Sequence, residues 1–304
     1  MKGEGKMNHQ TIGVVGTGNM GRRMALRLIA ADHKLVVHDA FKAAADPLIA
    51  KGATWADSPK AVARQARVVL TSLPGPKEIE SVVTGANGVL AGAKAGDLLI
   101  EMSTNSPQLV KKLAAAARAK SVGFLEAPVA GGTKGADDGT LTIMIGGELG
   151  VLESAKPVLD LLGKRIIHMG EPGAGNATKL INNLLGMASI YAIAEAMTLG
   201  AKAGLDLQRL YAVLESGPVS NLILTNVYKS RAFKGDFAPA FALDLATKDQ
   251  GLVVQMGNDV GAPMHLGKML LEQYQAAQES GLGGEDFTAV IKPLEKTLGV
   301  QVRL

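Results

Sequence analysis

The segment TIGVVGTGNMG, residues 11–21, decides the fold of the first half of the chain. A β-branched run, 11–15, leads into Gly16-Thr17-Gly18-Asn19-Met20-Gly21, and an amphipathic segment follows at 22–31. A strand, a glycine turn and a helix in this order are the context that a GxGxxG dinucleotide-binding motif requires. Gly16 would permit the tight turn, Gly18 would let a pyrophosphate approach the backbone, and Gly21 would let helix and strand pack closely. The helix N-terminus would then offer N–H groups to the phosphates. Taken alone, the motif also fits an ordinary glycine-rich turn.

The next apolar run supports the dinucleotide interpretation. Residues 35–38 read as a strand that ends in Asp39, eighteen residues after Gly21. A carboxylate at this point can accept hydrogen bonds from both ribose hydroxyls and repels a 2′-phosphate. Enzymes that use NADP tend to place an arginine just after this position, but here Ala40 follows and the nearest cation is Lys42. The sequence therefore favours NAD over NADP.

Strand-like and helix-like segments alternate through the rest of the first half. The strand-like runs are 68–73, 98–102, 141–145 and 165–168, and the helical patterns between them are 58–65, 107–120 and 152–162. This alternation predicts a doubly wound, mostly parallel sheet that binds its ligand at the carboxyl ends of the strands.

Two of these strands end in loops that we predict to contact the cofactor. They contain Leu73-Pro74 and Ser103-Thr104. The second loop continues into Ser106-Pro107, which also suits a helix N-cap and first helical position. Helix capping is therefore the alternative role for that loop.

A glycine-dense segment, FLEAPVAGGTKGA (124–136), follows. Loop glycines cost conformational entropy, and they offer unobstructed backbone N–H groups that can hold a carboxylate. We expect a carboxylate-binding loop here, and a flexible connection is the alternative.

Residues 171–205 predict a long, mostly buried helix, because hydrophobic residues fill almost every face and no proline occurs between Pro172 and Pro218. Lys179, Asn182, Asn183 and Gly186 nevertheless align on one side of it. Lysine is rarely fully buried unless it is paired, so this polar stripe suggests an active site.

Beyond Gly204 the sequence shows helical patterns and no strand pattern, at 207–216, 220–231, 243–257, 264–280 and 287–298. We therefore expect two domains. Residues 1–171 would form an α/β Rossmann domain, and residues 172–304 an all-α domain for substrate binding and oligomerisation that is entered through the long helix.

Composition excludes several classes of function. The chain has 304 residues, 47% hydrophobic and 20% charged, with a net charge of +4, and its basic residues form pairs rather than a stripe. We therefore expect no nucleic-acid surface. The absence of cysteine excludes disulfides and thiolate chemistry, and the five histidines are too scattered to predict a metal site.

Neither a targeting segment nor a membrane span is predicted. The N-terminus, MKGEGKMNHQ, lacks an apolar h-region. The uncharged run between Lys179 and Glu195 reads as too short and too polar to cross a bilayer. We expect a cytoplasmic protein.

Four motifs occur in order along the chain: GTGNMGRRMA (16–25), EAPVAGGTKGADDGTLTIMIGG (126–147), GAGNATKLINN (173–183) and KDQGL (248–252). On these motifs the chain resembles the β-hydroxyacid dehydrogenase family from about residue 13 to about residue 298. The family includes 3-hydroxyisobutyrate dehydrogenase, tartronate semialdehyde reductase and glyoxylate/succinic semialdehyde reductase.

The resemblance implies catalytic and cofactor roles for three residues. Lys179 corresponds to the catalytic lysine, and Asn183 to its partner one turn later. Lys248 corresponds to the residue that contacts the nicotinamide end of the cofactor and helps to close the site. A lysine that snorkels from an apolar helix, and a plain surface lysine, are the respective alternatives for Lys179 and Lys248.

The resemblance also implies a substrate site. Ala130, Gly131 and Gly132 fall where the family binds the substrate carboxylate, and Phe241 where it lines the pocket. The family usually has serine at the position of Ala130, so this chain lacks one hydroxyl donor, and the identity of its substrate stays open.

Chemistry supports the same reading of the long helix. Reduction of an aldehyde leaves a developing alkoxide that needs a proton donor, and partial burial lowers the pKa of a lysine so that it can act as acid and as base. A cation at the position of Lys179, near a helix N-terminus, opposes the helix dipole and is poorly placed for a purely structural role.

We therefore expect an NAD-dependent oxidoreductase that interconverts a small β-hydroxy acid and its semialdehyde, with Lys179 as acid and base. The alternatives are an NADPH-dependent glyoxylate/succinic semialdehyde reductase, an imine reductase and a non-catalytic dinucleotide-binding module. Imine-reducing relatives typically replace the lysine, and a module that has lost its chemistry would be expected to lose it too. The resemblance and the apolar helices also imply a homodimer or homotetramer.

Overall fold

A computed structural model of the chain describes residues 10–304. The chain divides into two compact units, one that ends at Lys179 and one that covers Leu180–Leu304. His9 and the N-terminal segment in which no signal peptide is predicted lie outside the described residues.

The N-terminal unit is built on one twisted sheet. Its strands, within the described residues, are β1 (Thr11–Val15), β2 (Lys34–His38), β3 (Thr54–Trp55), β4 (Val68–Thr71), β5 (Leu98–Glu101), β6 (Gly123–Glu126), β7 (Val129–Ala130), β8 (Leu141–Gly147) and β9 (Gly163–Gly170). They follow the order β3-β2-β1-β4-β5-β6-β8-β7, and β9 pairs with β8. Pairing is parallel from β3 to β6 and between β8 and β9, whereas β8 runs antiparallel to β6 and β7. The predicted doubly wound, mostly parallel sheet is confirmed.

Helices cover both faces of this sheet, and a separate apolar core lies on each face. They are α1 (Asn19–Ala30), α2 (Asp46–Ile49), α3 (Pro59–Gln65), α4 (Pro76–Thr84), α5 (Val89–Gly92), α6 (Pro107–Arg118), α7 (Gly132–Asp138) and α8 (Leu149–Leu159). Local chemistry starts two of them. Ser58 and Ser106 accept hydrogen bonds from the N–H groups of Ala61 and Leu109, and a proline follows each serine at the first helical position.

The segment 124–136, expected to be a glycine-rich loop, is more ordered than its composition indicates. It contributes to β6, forms β7 and begins α7. Helix α7 packs on α1, and Arg23 of α1 lies 3.5 Å from the carboxylate of Asp137. Glycine disfavours a helix by about 1 kcal/mol per residue, so tertiary packing rather than local propensity determines this structure.

The long helix forms as expected and spans Ala174–Lys202 (α9). The expectation that it is mostly buried is wrong, because its most apolar 18-residue window is 39% buried. The expectation that it is too short and polar for a bilayer is also wrong on length and composition alone, since that window has a mean hydropathy of 1.4. A core helix of a soluble protein passes the same test, so this one helix is weak evidence for a membrane span.

The C-terminal unit is helical. After its part of α9 it contains α10 (Leu207–Ser216), α11 (Leu243–Asp259), α12 (His265–Ala277) and α13 (Ile291–Leu298), with π-helical turns at Ile223–Tyr228 and Gln278–Leu282 and 3₁₀ turns at Ala232–Lys234 and Phe287–Val290. Tyr228, Phe233 and Tyr274 are fully buried at its centre. The predicted all-α character is confirmed. The π-helical turns were not predicted, because they fall within or at the end of segments whose pattern fits an ordinary α-helix.

Candidate active site

The glycine turn after β1 has the geometry that its motif predicts. Gly16 has φ +89°, and a Cβ atom there would lie 2.2 Å from the carbonyl oxygen of Ser72. A Cβ atom on Gly21 would lie 1.9 Å from the carbonyl oxygen of Gly16. Only glycine fits at either position, because these are contacts with backbone atoms. The two glycines therefore bring the start of α1 against the ends of β1 and β4.

The start of α1 fits a phosphate group. Gly18 is the N-cap, no side chain among residues 10–304 caps the helix, and its first turn holds no acidic residue. A Cβ atom on Gly18 would meet nothing within 4 Å among the described residues. Thr17, Asn19 and Met20, the remaining predicted contacts, belong to the same turn. Uncapped N–H groups beside open space are what a helix N-terminus offers to a pyrophosphate.

Asp39 lies directly after β2 and holds the glycine turn. Its Oδ2 accepts hydrogen bonds from the backbone N–H and the hydroxyl of Thr17, at 2.7 and 3.1 Å, and its Oδ1 accepts from the N–H of Phe41 at 2.9 Å. An ionised carboxylate has about four acceptor sites, so these bonds leave little capacity for ribose hydroxyls. Lys42 lies over the ring of Trp55, 5.6 Å from its centroid. The structure thus adds a role in loop positioning to the predicted ribose contact.

The two predicted cofactor loops are bonded to each other. The N–H of Leu73, after β4, donates to Oγ of Ser103, after β5, at 2.8 Å. These strands are parallel neighbours, so Pro74 and Thr104 lie in loops at the same edge of the sheet. Ser106, two residues beyond Thr104, caps α6, so capping and a place at this edge coexist in one loop.

Glu101, the last residue of β5, is a fully buried carboxyl group. Its Oε1 accepts from the N–H of Ser103 at 2.9 Å and from the hydroxyl of Thr71 at 3.4 Å, and its Oε2 has no hydrogen-bond partner in the described part of the chain. Burial, and to a smaller extent the charge of Glu126, raise the pKa of Glu101 to about 7. Such a group exchanges its proton near neutral pH.

Glu126, paired with Glu101 across β5 and β6, caps the start of α9. Its Oε1 accepts from the N–H groups of Gly173 and Gly175, at 2.5 and 2.9 Å. Its Oε2 accepts from the backbone N–H and the side-chain amide of Asn176, at 2.9 and 2.7 Å. Burial raises the pKa of Glu126, and these N–H donors act in the opposite direction. We did not predict this role, although Glu126 and the three residues that it binds belong to two of the four sequence motifs.

The proposed carboxylate site lies between β7 and α7. Ala130 ends β7, Gly131 has φ +126° and Gly132, with φ +63°, begins α7. Gly131 and Gly132 are exposed, and a Cβ atom on Gly132 would meet nothing within 4 Å in the described structure. Both φ values lie in the region that favours glycine, so these two residues are required by the backbone whatever they bind.

Lys179 stands in the second turn of α9, between the capped start of the helix and its apolar middle. It is half-buried. Asn183 lies four residues further on, so both side chains project from one face of the helix. Asn182 is exposed and donates to Oδ1 of Asn183 at 3.3 Å.

In the C-terminal unit, Asn183 and Lys248 meet at one buried carboxylate. Asp249, which is 2% exposed, accepts from Nδ2 of Asn183 through Oδ2 at 2.7 Å. Its Oδ1 forms an ion pair with Nζ of Lys248 at 2.5 Å. Two residues with predicted roles therefore share a partner that we did not predict. The signal was its place beside Lys248 in KDQGL.

Phe241 lies just before α11 on a segment fixed by Asp286. Oδ2 of this fully buried aspartate accepts from the N–H groups of Ala240 and Phe241, at 3.0 and 3.3 Å. The ring of Phe241 contacts Phe287 edge to face, with centroids 5.5 Å apart. Its predicted contact with substrate stays a prediction. Over residues 10–304, no three histidine, aspartate or glutamate side chains are grouped as a metal ion would require.

Comparison with known proteins identifies the family of this chain. Residues 11–170 match the family model for the NAD binding domain of 6-phosphogluconate dehydrogenase. Residues 173–294 match the model for NAD-binding of NADP-dependent 3-hydroxyisobutyrate dehydrogenase. The chain is 37% identical to the 2-(hydroxymethyl)glutarate dehydrogenase of Eubacterium barkeri over 96% of this chain and 97% of that protein. The chain belongs to the β-hydroxyacid dehydrogenase family.

Other members of this family extend the likeness. The chain is 34% identical to the NAD-dependent L-serine dehydrogenase of Pseudomonas aeruginosa, over 95% of this chain and 99% of that protein. The structure of Mycobacterium tuberculosis 3-hydroxyisobutyrate dehydrogenase with L-serine matches with a TM-score of 0.83 and 33% identity, over 94% of this chain and 99% of that one. As a β-hydroxyacid dehydrogenase, the chain is an oxidoreductase of the hydroxyacid dehydrogenase and semialdehyde reductase class. Its cofactor is NAD, as the NAD-binding family models and the NAD-dependent relative indicate.

Proposed function

We propose that this enzyme interconverts a small β-hydroxy acid, similar to 3-hydroxyisobutyrate, and its semialdehyde, with Lys179 as general acid and base. The observation that carries the proposal is Lys179 itself, a half-buried cation in the second turn of α9, on the polar stripe that Asn182 and Asn183 continue. The helix dipole acts chiefly within the first turn, so the proposal rests on the partial burial of this cation, which is rare for lysine.

The named relatives indicate what the substrate would have in common. L-Serine, 2-(hydroxymethyl)glutarate and 3-hydroxyisobutyrate each carry a CH₂OH group on the carbon that bears the carboxylate, and they differ in one further substituent on that carbon. The shared unit gives the enzyme one carboxylate to bind and one alcohol to oxidise. We propose that Ala130, Gly131 and Gly132 bind the carboxylate through backbone N–H groups.

The bound cofactor would accept hydride from the alcohol carbon, or donate it to the aldehyde. In oxidation Lys179 would take the hydroxyl proton, and in reduction it would return a proton to the developing alkoxide. Asn183, held by Asp249, would orient the ammonium group and the substrate oxygen, and Lys248 would contact the nicotinamide end. Phe241 would line the substrate pocket. The cofactor contacts would be the turn 16–21, Asp39, Leu73-Pro74 and Ser103-Thr104.

The replacement Lys179→Ala tests the catalytic role. Loss of a general acid and base should lower kcat on the order of 100- to 10,000-fold, while the Kd for NADH, measured by fluorescence titration, changes little. Lys202→Ala is the matched control, because Lys202 is an exposed lysine of the same helix whose ammonium donates to the carbonyl of Leu298. A near-normal kcat in Lys179→Ala would refute the role.

A substrate panel tests the chemistry and the cofactor together. It contains 3-hydroxyisobutyrate, L-serine, D-glycerate, glycolate and 4-hydroxybutyrate, each with NAD and with NADP, followed by the absorbance of the reduced nicotinamide. We expect turnover with acids that carry the shared CH₂OH unit, and a preference for NAD because Asp39 repels a 2′-phosphate. A preference for NADP with 4-hydroxybutyrate or glycolate, the reduced forms of succinic semialdehyde and glyoxylate, would favour the NADPH-dependent reductase alternative. No turnover across the panel would favour a non-catalytic module.

We further propose that the enzyme is soluble and cytoplasmic, binds neither nucleic acid nor membrane, and assembles as a homodimer or homotetramer. Ile181, Leu185 and Leu199 are 53, 64 and 65% exposed, and Leu185 and Leu199 lie two heptads apart, so they form one apolar stripe on α9. Apolar stripes of this kind are typical of a helix that packs against a second copy. Light scattering after size exclusion should give a mass of two or four chains, and a monomer would contradict the assembly.

A further inference from the structure

We propose that Glu126 is a positioning residue for the reaction: its carboxylate fixes the first turn of α9 and thereby sets the place of Lys179 relative to the Ser103-Thr104 loop. This inference rests on the proposed role of Lys179 as acid and base. Glu126 belongs to the motif EAPVAGG, in which we assigned function only to residues 130–132.

The contacts of Glu126 identify it as an ionised carboxylate. Both oxygens accept two hydrogen bonds, and all four donors are N–H groups of Gly173, Gly175 and Asn176. Each oxygen already accepts two N–H bonds, so a proton on either one would compete with these donors. The negative charge lies at the N-terminus of a 29-residue helix, which the helix dipole stabilises.

This cap differs from the side-chain caps of three other α-helices in the described part of the chain. Ser58, Ser106 and Asp206 each cap the helix that begins at the next residue. Glu126 reaches α9 from 47 to 50 residues away, at the end of a central strand. A local cap stabilises a helix wherever the helix lies, whereas a cap from a strand also fixes the helix to the sheet.

The residues around the carboxylate leave it almost no freedom to move. A Cβ atom on Gly146 would lie 2.0 Å from Oε1 of Glu126, and one on Gly175 would lie 2.5 Å from the carbonyl oxygen of Met144. Gly173 has φ +104°. Glycine at these three positions lets the start of α9 approach the sheet closely enough for Glu126 to bind it.

A second contact joins the same turn to the predicted cofactor loop. Oδ1 of Asn176, whose amide nitrogen is held by Glu126, accepts from the N–H of Asn105 at 2.7 Å. Asn105 directly follows Ser103-Thr104 and is fully buried. Lys179 lies three residues after Asn176, about 4.5 Å along the helix axis. One series of hydrogen bonds, from the Glu126 carboxylate through the Asn176 side chain to the backbone N–H of Asn105, thus connects the strand end, the turn that precedes Lys179 and the cofactor loop.

The replacement Glu126→Gln tests the inference without changing side-chain volume. One oxygen becomes an NH₂ group that faces two N–H donors, so half of the clamp is lost. A displacement of about 1 Å at a reacting group can lower the rate by about 100-fold, so we expect kcat to fall about 10- to 100-fold. The Kd for NADH and the KM for substrate should change less than about threefold. Unchanged kcat, or a loss that appears only in NADH binding, would overturn the inference.

The double variant Lys179→Ala/Glu126→Gln separates this inference from the proposed function. If Glu126 acts through Lys179, it should have no further effect on the residual rate of Lys179→Ala. If Lys179→Ala itself turns over normally, the proposed function fails first. If Lys179→Ala is inactive and Glu126→Gln behaves like wild type, only the positioning role fails.

Two further variants guard against a folding effect. Asn176→Ala removes the amide bonds to Glu126 and Asn105 but keeps its own backbone N–H, so it weakens the clamp if Glu126→Gln does not fold. It should lower kcat in the same direction, and a normal kcat at full occupancy of the folded state would contradict the inference. Glu295→Gln is the control: Glu295 is a buried glutamate that accepts bonds from Val302 and Arg303, and its loss should affect stability and not kcat.

Discussion

Replacement of Glu101 by glutamine should change how stability depends on pH. Glu101 is fully buried, and its pKa is raised from 4.5 to about 7, chiefly by burial. The folded state therefore binds a proton that the unfolded state has released between these two pH values. By linkage, stability is fully present below pH 4.5 and is lost as the pH rises toward 7.

The magnitude follows from the size of the shift. Each pKa unit corresponds to about 1.4 kcal/mol, so the shift of Glu101 from 4.5 to about 7 corresponds to about 3 kcal/mol of unfolding free energy lost between pH 4 and pH 8. Glutamine has nearly the same shape and does not titrate. The free energy of unfolding of Glu101→Gln minus that of wild type should therefore rise by about 3 kcal/mol over this range, most steeply between pH 5 and pH 7.

Because the chain has a single tryptophan, its fluorescence makes the unfolding measurement specific to the N-terminal unit. Trp55 lies on β3 of the sheet that contains Glu101, so its fluorescence reports unfolding of the N-terminal unit. Urea titrations of wild type and variant at several pH values give the difference directly, and groups that titrate equally in both cancel. A difference that stays constant from pH 4 to pH 8 would refute the reasoning, because it would mean that Glu101 does not hold a proton in the folded state.

Two further replacements test contacts around the site. Gly146→Ala should destabilise the N-terminal unit by about 1–3 kcal/mol, because its Cβ atom would lie 2.0 Å from Oε1 of Glu126; urea unfolding followed by Trp55 fluorescence measures this. Asp249→Asn should lower kcat/KM by about 10- to 100-fold, because it removes the charge that orders Asn183; steady-state kinetics measures this at matched folded fraction.

Each of these variants has a control in its own element or the next. Gly150 lies in α8, where a Cβ atom would meet nothing within 4 Å in the described structure, so Gly150→Ala should leave stability unchanged or increase it. Asp244→Asn changes an exposed aspartate of α11 and should keep kcat/KM near wild type. If Gly146→Ala were as stable as Gly150→Ala, close packing at Gly146 would not contribute to stability. If Asp249→Asn were as active as Asp244→Asn, the charge of Asp249 would not contribute to kcat/KM.

The sequence was most informative where one residue type has one structural use. The glycine turn 16–21 and Asp39 could be placed before the structure was known, because tight turns and strand ends restrict the residues that fit. Hydrophobic periodicity alone predicted an N-terminal unit built on a sheet and a C-terminal unit built of helices. These signals depend on residues that are close together in the chain, so a single sequence is enough to detect them.

Prediction was less successful where distant contacts decide the structure. The segment 124–136 read as a loop, yet it contributes to two strands and a helix, because α7 is stabilised by packing on α1. The partial exposure of α9 could not be foreseen either, since composition shows how apolar a helix is and not what covers it. Asp249 was overlooked because an aspartate beside a lysine is usually a surface pair.

At the start of α9, residues from two of the four sequence motifs contact each other. The segments 126–147 and 173–183 are independent in sequence, and each has glycines that suggest backbone N–H groups open to a ligand. In the structure, the N–H groups of Gly173 and Gly175 bind the protein's own carboxylate, Glu126, while Gly132 remains open. The two sets of glycines therefore have different roles. Gly173 and Gly175 fix the first turn of the helix that carries Lys179, whereas Gly132 leaves open space beside the backbone. A substitution that loosens the first set should lower kcat, and one that fills the second should raise KM. Kinetics on Glu126→Gln, with kcat and KM measured separately, can thus distinguish the positioning of the base from the binding of the substrate.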